Sequence, residues 1–291
     1  MEVVLLGTGC PQCDPGRRGP ATLVRAGGAA LLVDCGSGVT QRLVEAGTPG
    51  AAIDALLLTH LHTDHLVDFY QLVVSSWHQG RARKQRIFGP PGTRAFVEGT
   101  MALWAVERAQ RIAHEQRPSV AAFDMDVTEI EPGGTFAIED ARVTAVAVAH
   151  RPVEHAFGFV VEADGRKAAL SGDTACCPAL IEAARGADVL VHECFVHAEM
   201  KPVPGVRSAA TVAAVRAYHT TPGEAGRVAR EAGVGFLLLN HFVPTRFDRG
   251  AVLDEVRREF AGAVAVGEDL MRYDAAARRL FHRDAAIGFG S

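Results

Sequence analysis

The chain of 291 residues has no apolar run approaching the roughly 20 residues needed to cross a bilayer. A transmembrane helix is therefore excluded. The opening "MEVVLLGTGCPQC" is acidic at its second position and carries no basic leader, so it does not read as a signal peptide. The expectation is a cytoplasmic protein without membrane contact. Cysteine is scarce: Cys10, Cys13, Cys35, Cys176, Cys177 and Cys194 are too few for a disulfide framework in a chain of this length. Cys10 and Cys13 form a lone CxxC in a Gly/Pro-rich loop, with no second pair to complete a zinc or redox site. An excess of one charge is missing too. Thirty basic residues face 34 acidic ones, a net charge of -4, and the totals carry no footprint of nucleic-acid or membrane-surface binding. Low-complexity linkers and short-period repeats are absent, so residues 1–291 are read as one domain with a sizeable core.

What is present falls into two successive sets. The runs "EVVLLG", "ATLVRAG", "AALLVDCG" and "ALLLTH" read as strands between Gly-rich turns, followed by a helix in "HLVDFYQLVVSSWHQ" and more helix in "TRAFVEGTMALWAVERAQRIAHEQ". A second set begins near Phe123 with "VTEIEPGGTFAIED", "ARVTAVAVAH", "FGFVVEADGRKAALSGD" and "DVLVHECF". Asp-Gly inside "EADGRK" predicts a hairpin. "TPGEAGRVAREAG", with Pro near its start and Gly past its end, predicts a helix before the strand "VGFLLLNHF". Strands then helices, twice over, suggest two packed sheets with helices outside.

Four polar groups crowd into "HLHTDH", directly after an apolar strand. The alternation places His60 and His62 on one side of an extended turn, with Asp64 and His65 following. Neutral imidazoles and carboxylates suit zinc. Further ligands are expected where other buried strands end: His150 after "VTAVAVA", Asp173 after "KAALSG" and His241 after "VGFLLLN". His155, in "EHAFGF", competes with His150, which is preferred because it ends the longer apolar strand.

Together, Asp34 in "LLVDCGSG", the HxHxDH run, His150, Asp173 in "SGDT" and His241 resemble the metallo-β-lactamase-fold hydrolase superfamily. The resemblance implies an α+β fold, an αββα sandwich of two mixed sheets flanked by helices, with two zinc ions at one edge. By that likeness His60, His62 and His150 would hold one ion, Asp64, His65 and His241 the other, and Asp173 would bridge them. Asp34 would orient the histidine loop. "LLGTGCP", "GPPGT", "HEC" and "HTTPGEAGRVAREAGV" are similar to the ribonuclease Z and arylsulfatase-type branch. There Glu193 and His219 would pair beside the metals, with His219 as proton donor and Asp64 also able to accept a proton from the attacking water.

Within that branch the chain departs from ribonuclease Z. Between Phe159 and Ser171 only "VVEADGRKAAL" is found, leaving no room for an RNA-gripping arm, and "RARKQR" at 81–86 reads as a solvated loop. The expectation is therefore a dizinc hydrolase of small phosphodiesters or aryl sulfates, acting on a small-molecule ester and without nucleic acid. Manganese or iron fits the same ligands. The alternatives are a transfer-RNA 3′-end endoribonuclease and a metal-binding scaffold or carrier without turnover. Phe69, Tyr70, Trp77 and Trp104 are candidates for an aromatic pocket. Relatives of the branch imply a homodimer through "VDFYQLVVSSW".

Overall fold

The computed structural model of the chain describes residues 1–289. Apolar runs of the first half fold into β1 (Glu2–Gly7), β2 (Ala21–Ala26), β3 (Ala29–Val33), β4 (Ala55–Leu57), β5 (Gln85–Gly89) and β6 (Met125–Glu129), side by side in that order. The first three strands pair antiparallel, and β3 to β6 run parallel. A second sheet contains β7 (Thr135–Ile138), β8 (Ala141–Ala147), β9 (Phe157–Ala163), β10 (Arg166–Leu170), β11 (Val189–Phe195), β12 (Phe236–Val243) and β13 (Ala263–Val266). Here β7 to β10 are antiparallel and β10 to β13 parallel. The expected hairpin joins β9 to β10 through Asp164 and Gly165, both at positive φ (56° and 67°), the backbone that a two-residue Asp-Gly turn requires.

The division into two successive sets fails in two places. β6, placed by the sequence pattern in the second set, lies against β5, and its Val127 packs into the outer layer of the first sheet. β14 (Arg272–Asp274), β15 (Arg279–His282) and β16 (Ala285–Gly288) return to the first sheet, where β14 takes the free edge of β1. Tyr273 and Leu280 alternate inward from these strands and join the core between the sheets, the burial that draws them there.

That central core is built from inward residues of both sheets, such as Leu31, Leu57, Phe157, Phe159, Val191 and Leu238. Helices α1 (Val39–Glu45), α2 (Phe69–His78) and α3 (Thr93–Leu103) bury Leu43, Phe69, Leu72, Val97 and Met101 on the outer face of the first sheet. α4 (Ala105–Glu115) follows a break at Trp104 and buries nothing, so the helical stretch expected there is made of two helices. On the outer face of the second sheet lie α5 (Pro178–Ala183), α7 (Pro222–Ala232) and α8 (Arg249–Arg257), while α6 (Ala209–Arg216) runs at the surface. α7 starts where its sequence says: Thr221 and Glu224 form a reciprocal capping box, Pro222 opens the helix and Gly233 ends it at φ 63°. The result is the αββα sandwich. None of the described helices is long and apolar enough to cross a membrane.

"RARKQR" is not a solvated loop. Arg81 is buried and donates to the carbonyls of Ile53 and Lys84, both at 2.6 Å, and Arg83 pairs with Asp54. These cations hold a turn together. Of the four candidate pocket aromatics, Phe69 and Trp77 are core, and Tyr70 stacks on Trp104 with ring centres 4.9 Å apart, in a separate surface hollow with Val67 and Phe96. α2 turns most of its apolar face inward.

Candidate metal centre

The ligand candidates share one edge of the sandwich, where β3, β4, β8, β10, β11 and β12 all run the same way and their following loops diverge. Such an edge leaves a crevice beyond the carboxyl ends of the strands. After β4 the chain stays extended through His62 (φ -69°, ψ 145°) and then tightens into a single 3-10 turn at Thr63–His65, which swings Asp64 and His65 back beside His60. His60 Nε2 and His150 Nε2 approach His62 Nδ1 to 2.9 Å and 3.3 Å. His241 Nε2 and His65 Nε2 lie 3.4 Å and 3.6 Å from Asp64 Oδ2. Asp173 Oδ2 stands between the two groups, 3.3 Å from His241, 3.5 Å from His65, 3.9 Å from His150 and 4.0 Å from His60.

His241 does not end its strand, as expected from the sequence, but interrupts it. Glu193 pairs with Asn240 and Cys194 with Phe242, so His241 is an extra, bulged residue at φ 42°. The bulge turns its ring into the crevice from the middle of β12.

Hydrogen bonds behind the rings fix which nitrogen is free. Asp34, at φ 62°, accepts from Thr59 N and Thr59 Oγ1, both at 2.8 Å, and faces His65 Nδ1 at 2.8 Å. With its one proton committed to Asp34, the Thr59 hydroxyl accepts from His60 Nδ1 at 3.0 Å. His150 Nδ1 donates to the Tyr218 carbonyl at 3.1 Å. All three imidazoles thus engage Nδ1 behind the site and turn Nε2 toward the crevice, the arrangement found behind metal-bound histidines. Thr59 was not anticipated, since a threonine at a strand end carries no pattern of its own. If Asp34 sets these tautomers, Asp34→Asn is expected to weaken zinc binding by about 10- to 100-fold in competition with a chromogenic chelator. Unchanged affinity would remove Asp34 from that role.

Charge is split between the two groups. Burial pushes His60 and His62 down, and His150 down to about 4, so these rings are neutral. Burial also works against a charged His65 and His241, but the carboxylates beside them, Asp173 and Asp34 at His65 and Asp173 and Asp64 at His241, together outweigh it and hold both up. Burial would raise Asp173; His241 and His65 instead hold it well below the usual carboxylate range. His65 Nε2, Asp173 Oδ1 and His241 Nδ1 are buried without a protein partner. Two sets of donor atoms, each within 4.8 Å of one another, suit divalent cations: His60, His62, His150 and Asp173 in one, Asp64, His65 and His241 in the other.

Beside them, Glu193 Oε1 accepts from Thr174 N at 2.9 Å and faces His219 Nδ1 at 2.7 Å. Burial alone would lower His219, but the Glu193 charge and hydrogen bond push it up to about 9. The crevice opens into a cavity of about 470 Å³ whose floor includes His62, Asp64, Asp173, His219 and His241. Tyr218 lines it as well, an aromatic that the sequence reading passed over in favour of the α2 region. His155 is exposed, away from the ligand groups. Cys10 is a buried thiol in the cavity wall and Cys13 an exposed one; both are free.

Residues 30–242 match the beta-lactamase superfamily domain. Ribonuclease Z of Mycobacterium bovis is 38% identical over 287 residues, covering 96% of this chain and 100% of the relative, and that of Mycobacterium marinum is 38% identical over 285 residues with the same coverage. The crystal structure of human tRNase Z, short form, superposes with a TM-score of 0.70 at 25% identity, covering 94% of this chain and 99% of that one. A metallo-beta-lactamase fold protein from Bacillus subtilis, at 21% identity and a TM-score of 0.70, shares the fold.

These relatives overturn the expectation of a small-ester hydrolase that handles no nucleic acid. That expectation rested on the short β9–β10 hairpin and on the overall charge. The hairpin is real, but 287 aligned residues span the whole of the Mycobacterium bovis ribonuclease Z, which leaves no room for a long arm there either. Absence of the arm therefore does not separate the two activities, and a net charge of -4 says nothing about how charge is arranged around one crevice. The chain belongs to the beta-lactamase superfamily, in its ribonuclease Z branch, a family of metal-dependent hydrolases.

Proposed function

We propose that the chain is a metal-dependent endoribonuclease that trims the 3′ side of transfer-RNA precursors, leaving a free 3′-hydroxyl. Identity of 38% along the whole length of a ribonuclease Z carries this reading, and the crevice geometry supports it. His60, His62 and His150 would hold one zinc ion, Asp64, His65 and His241 a second, with Asp173 shared; manganese or iron would suit the same donors. When bound, such a pair supplies a hydroxide-strength nucleophile near neutral pH and positive charge beside the phosphate under attack.

The remaining steps belong to the side chains. Asp64 would accept a proton from the attacking water. His219, kept protonated by Glu193, donates to the departing 3′-oxygen as its bond to phosphorus breaks. Arg151 and Lys201 are exposed and adjoin His150 and Met200 in the chain, and the exposed Arg246, paired with Asp14, lies two residues beyond Pro244; these cations are the candidates for phosphate contacts around the crevice.

The test is a zinc-loaded preparation offered a transfer-RNA precursor with a short 3′ trailer, beside the mature transfer RNA. A single internal cut yielding the mature 3′-hydroxyl end, with KM rising steeply as salt increases, is the expected result. Zinc-loaded protein that leaves the precursor intact would refute the reading.

A further inference from the structure

The cavity in front of the ligand groups has two kinds of wall. Its charged floor is formed by His62, Asp64, Asp173, His219 and His241; its side is mostly apolar, with Cys10, Leu61, Met200, Val215, Val243 and Pro244, the uncharged Gln12 and Thr63 being the polar exceptions. Cys10 and Val243 belong to a small buried cluster with Phe195, against which Met200 and Val215 pack. Tyr218 stands where floor and side meet. Its ring centre is 4.8 Å from that of His219 and 5.0 Å from that of His150, crossing the latter edge-on at 88°. No other phenylalanine, tyrosine or tryptophan lines this cavity among the described residues.

A nucleotide matches that division. Its phosphate belongs on the floor, whereas the apolar side, whose own lining side chains carry no charge, suits the flat face of a base. From this geometry we infer that Tyr218 is the stacking platform for the nucleobase on the leaving-group side of the scissile phosphate. The inference rests on the ribonuclease reading above. Adjacency to His219 sets the side: the group that protonates the departing 3′-oxygen lies next to the nucleotide that carries it, so the base of that nucleotide is the one within reach of the Tyr218 ring. Stacking is tolerant of base identity, because every base presents a π-face. Tyr218 would thus hold the last retained nucleotide whatever its base, a positioning role distinct from sequence readout.

The backbone of Tyr218 does a separate job. Its carbonyl, not its ring, accepts from His150 Nδ1, so replacing the side chain leaves that hydrogen bond available. Removing the ring can therefore be separated from disturbing the metal centre.

The experiment places 2-aminopurine, whose fluorescence is quenched by stacking, at the last retained nucleotide of a precursor made uncleavable by a 3′-methylene phosphonate. Binding to zinc-loaded wild type, Tyr218→Ala and Tyr218→Phe is followed by fluorescence, and cleavage of the natural precursor is measured in parallel. Expected are quenching by wild type and Tyr218→Phe, its loss in Tyr218→Ala, and a KM at least about tenfold higher in Tyr218→Ala with unchanged zinc content. Equal quenching by wild type and Tyr218→Ala overturns the inference, as does a Tyr218→Phe variant as impaired as Tyr218→Ala. If zinc-loaded wild type neither binds nor cuts the precursor, the ribonuclease reading itself has failed. Cleavage by wild type with indifferent Tyr218 variants condemns only the platform.

Discussion

Asp173→Ala is expected to retain at most one metal ion per chain and to lose more than ~10³-fold of RNA cleavage, the largest effect on metal content of any single substitution in the crevice. The reason is position. Its Oδ2 lies within 4.0 Å of imidazole nitrogens from both donor groups, whereas Asp64 approaches only His65 and His241. Removing Asp173 also takes away the negative charge that lies beside His65 and His241, so the site loses a donor shared by both groups and part of the charge that attracts a cation. Asp64→Ala, by contrast, should empty one site and spare the group around His60. Metal content by atomic absorption, with circular dichroism to establish that the chain is folded, distinguishes the two. An Asp173→Ala protein holding two ions and cutting RNA near the wild-type rate would end the bridging assignment.

His219→Ala should lower kcat on the precursor by about 10²- to 10⁴-fold while leaving metal content untouched. The loss should depend on what departs. A 3′-oxygen leaves badly as an alkoxide and needs a proton, whereas a thiol, with a pKa of roughly 8.5, leaves as its anion. On a precursor with sulfur in place of the scissile 3′-oxygen, wild type and His219→Ala are expected to differ by less than about tenfold. Glu193→Gln should behave as a weaker copy, since its 2.7 Å contact and charge are what push His219 up to about 9. The sign follows: the imidazolium persists below that value and is lost above it, so wild-type kcat falls as pH rises toward 9, and His219→Ala lacks that fall. An equal loss on oxygen and sulfur substrates would show that His219 acts on something other than the leaving group.

The parts of the centre legible in the sequence are those where local pattern and tertiary role coincide. HxHxDH directly follows a buried strand, and its 3-10 turn needs only six neighbouring residues to bring His60, His62, Asp64 and His65 together. His150 and Asp173 could be found because the strands before them end abruptly in polar groups. His241 was found for a wrong reason: it sits inside β12, and only the pairing of Glu193 with Asn240 and of Cys194 with Phe242 makes it a bulge that points into the crevice. Bulges depend on the neighbouring strand, so a single strand's pattern does not show them. The same holds for β14, whose partner β1 is more than 260 residues away along the chain and which carries β15 and β16 into the first sheet with it. Tyr218 and Thr59 were hidden because each acts partly through a backbone carbonyl or a hydroxyl, groups that residue type does not advertise. Substrate was read wrongly because a missing insertion was taken as decisive and overall charge as local charge.

The two donor groups draw on both sheets. His60, His62, Asp64 and His65 follow a strand of the first, while His150, Asp173 and His241 belong to the second. On the ligand assignment proposed above, each ion would therefore be a cross-link between the halves of the sandwich, and every tenfold excess of free zinc over its dissociation constant would add about 1.4 kcal/mol to the free energy of unfolding. Zinc then adds to the stability of the fold as well as enabling the chemistry, and the apo chain, whose halves share the apolar core but not those cross-links, is the more easily unfolded of the two.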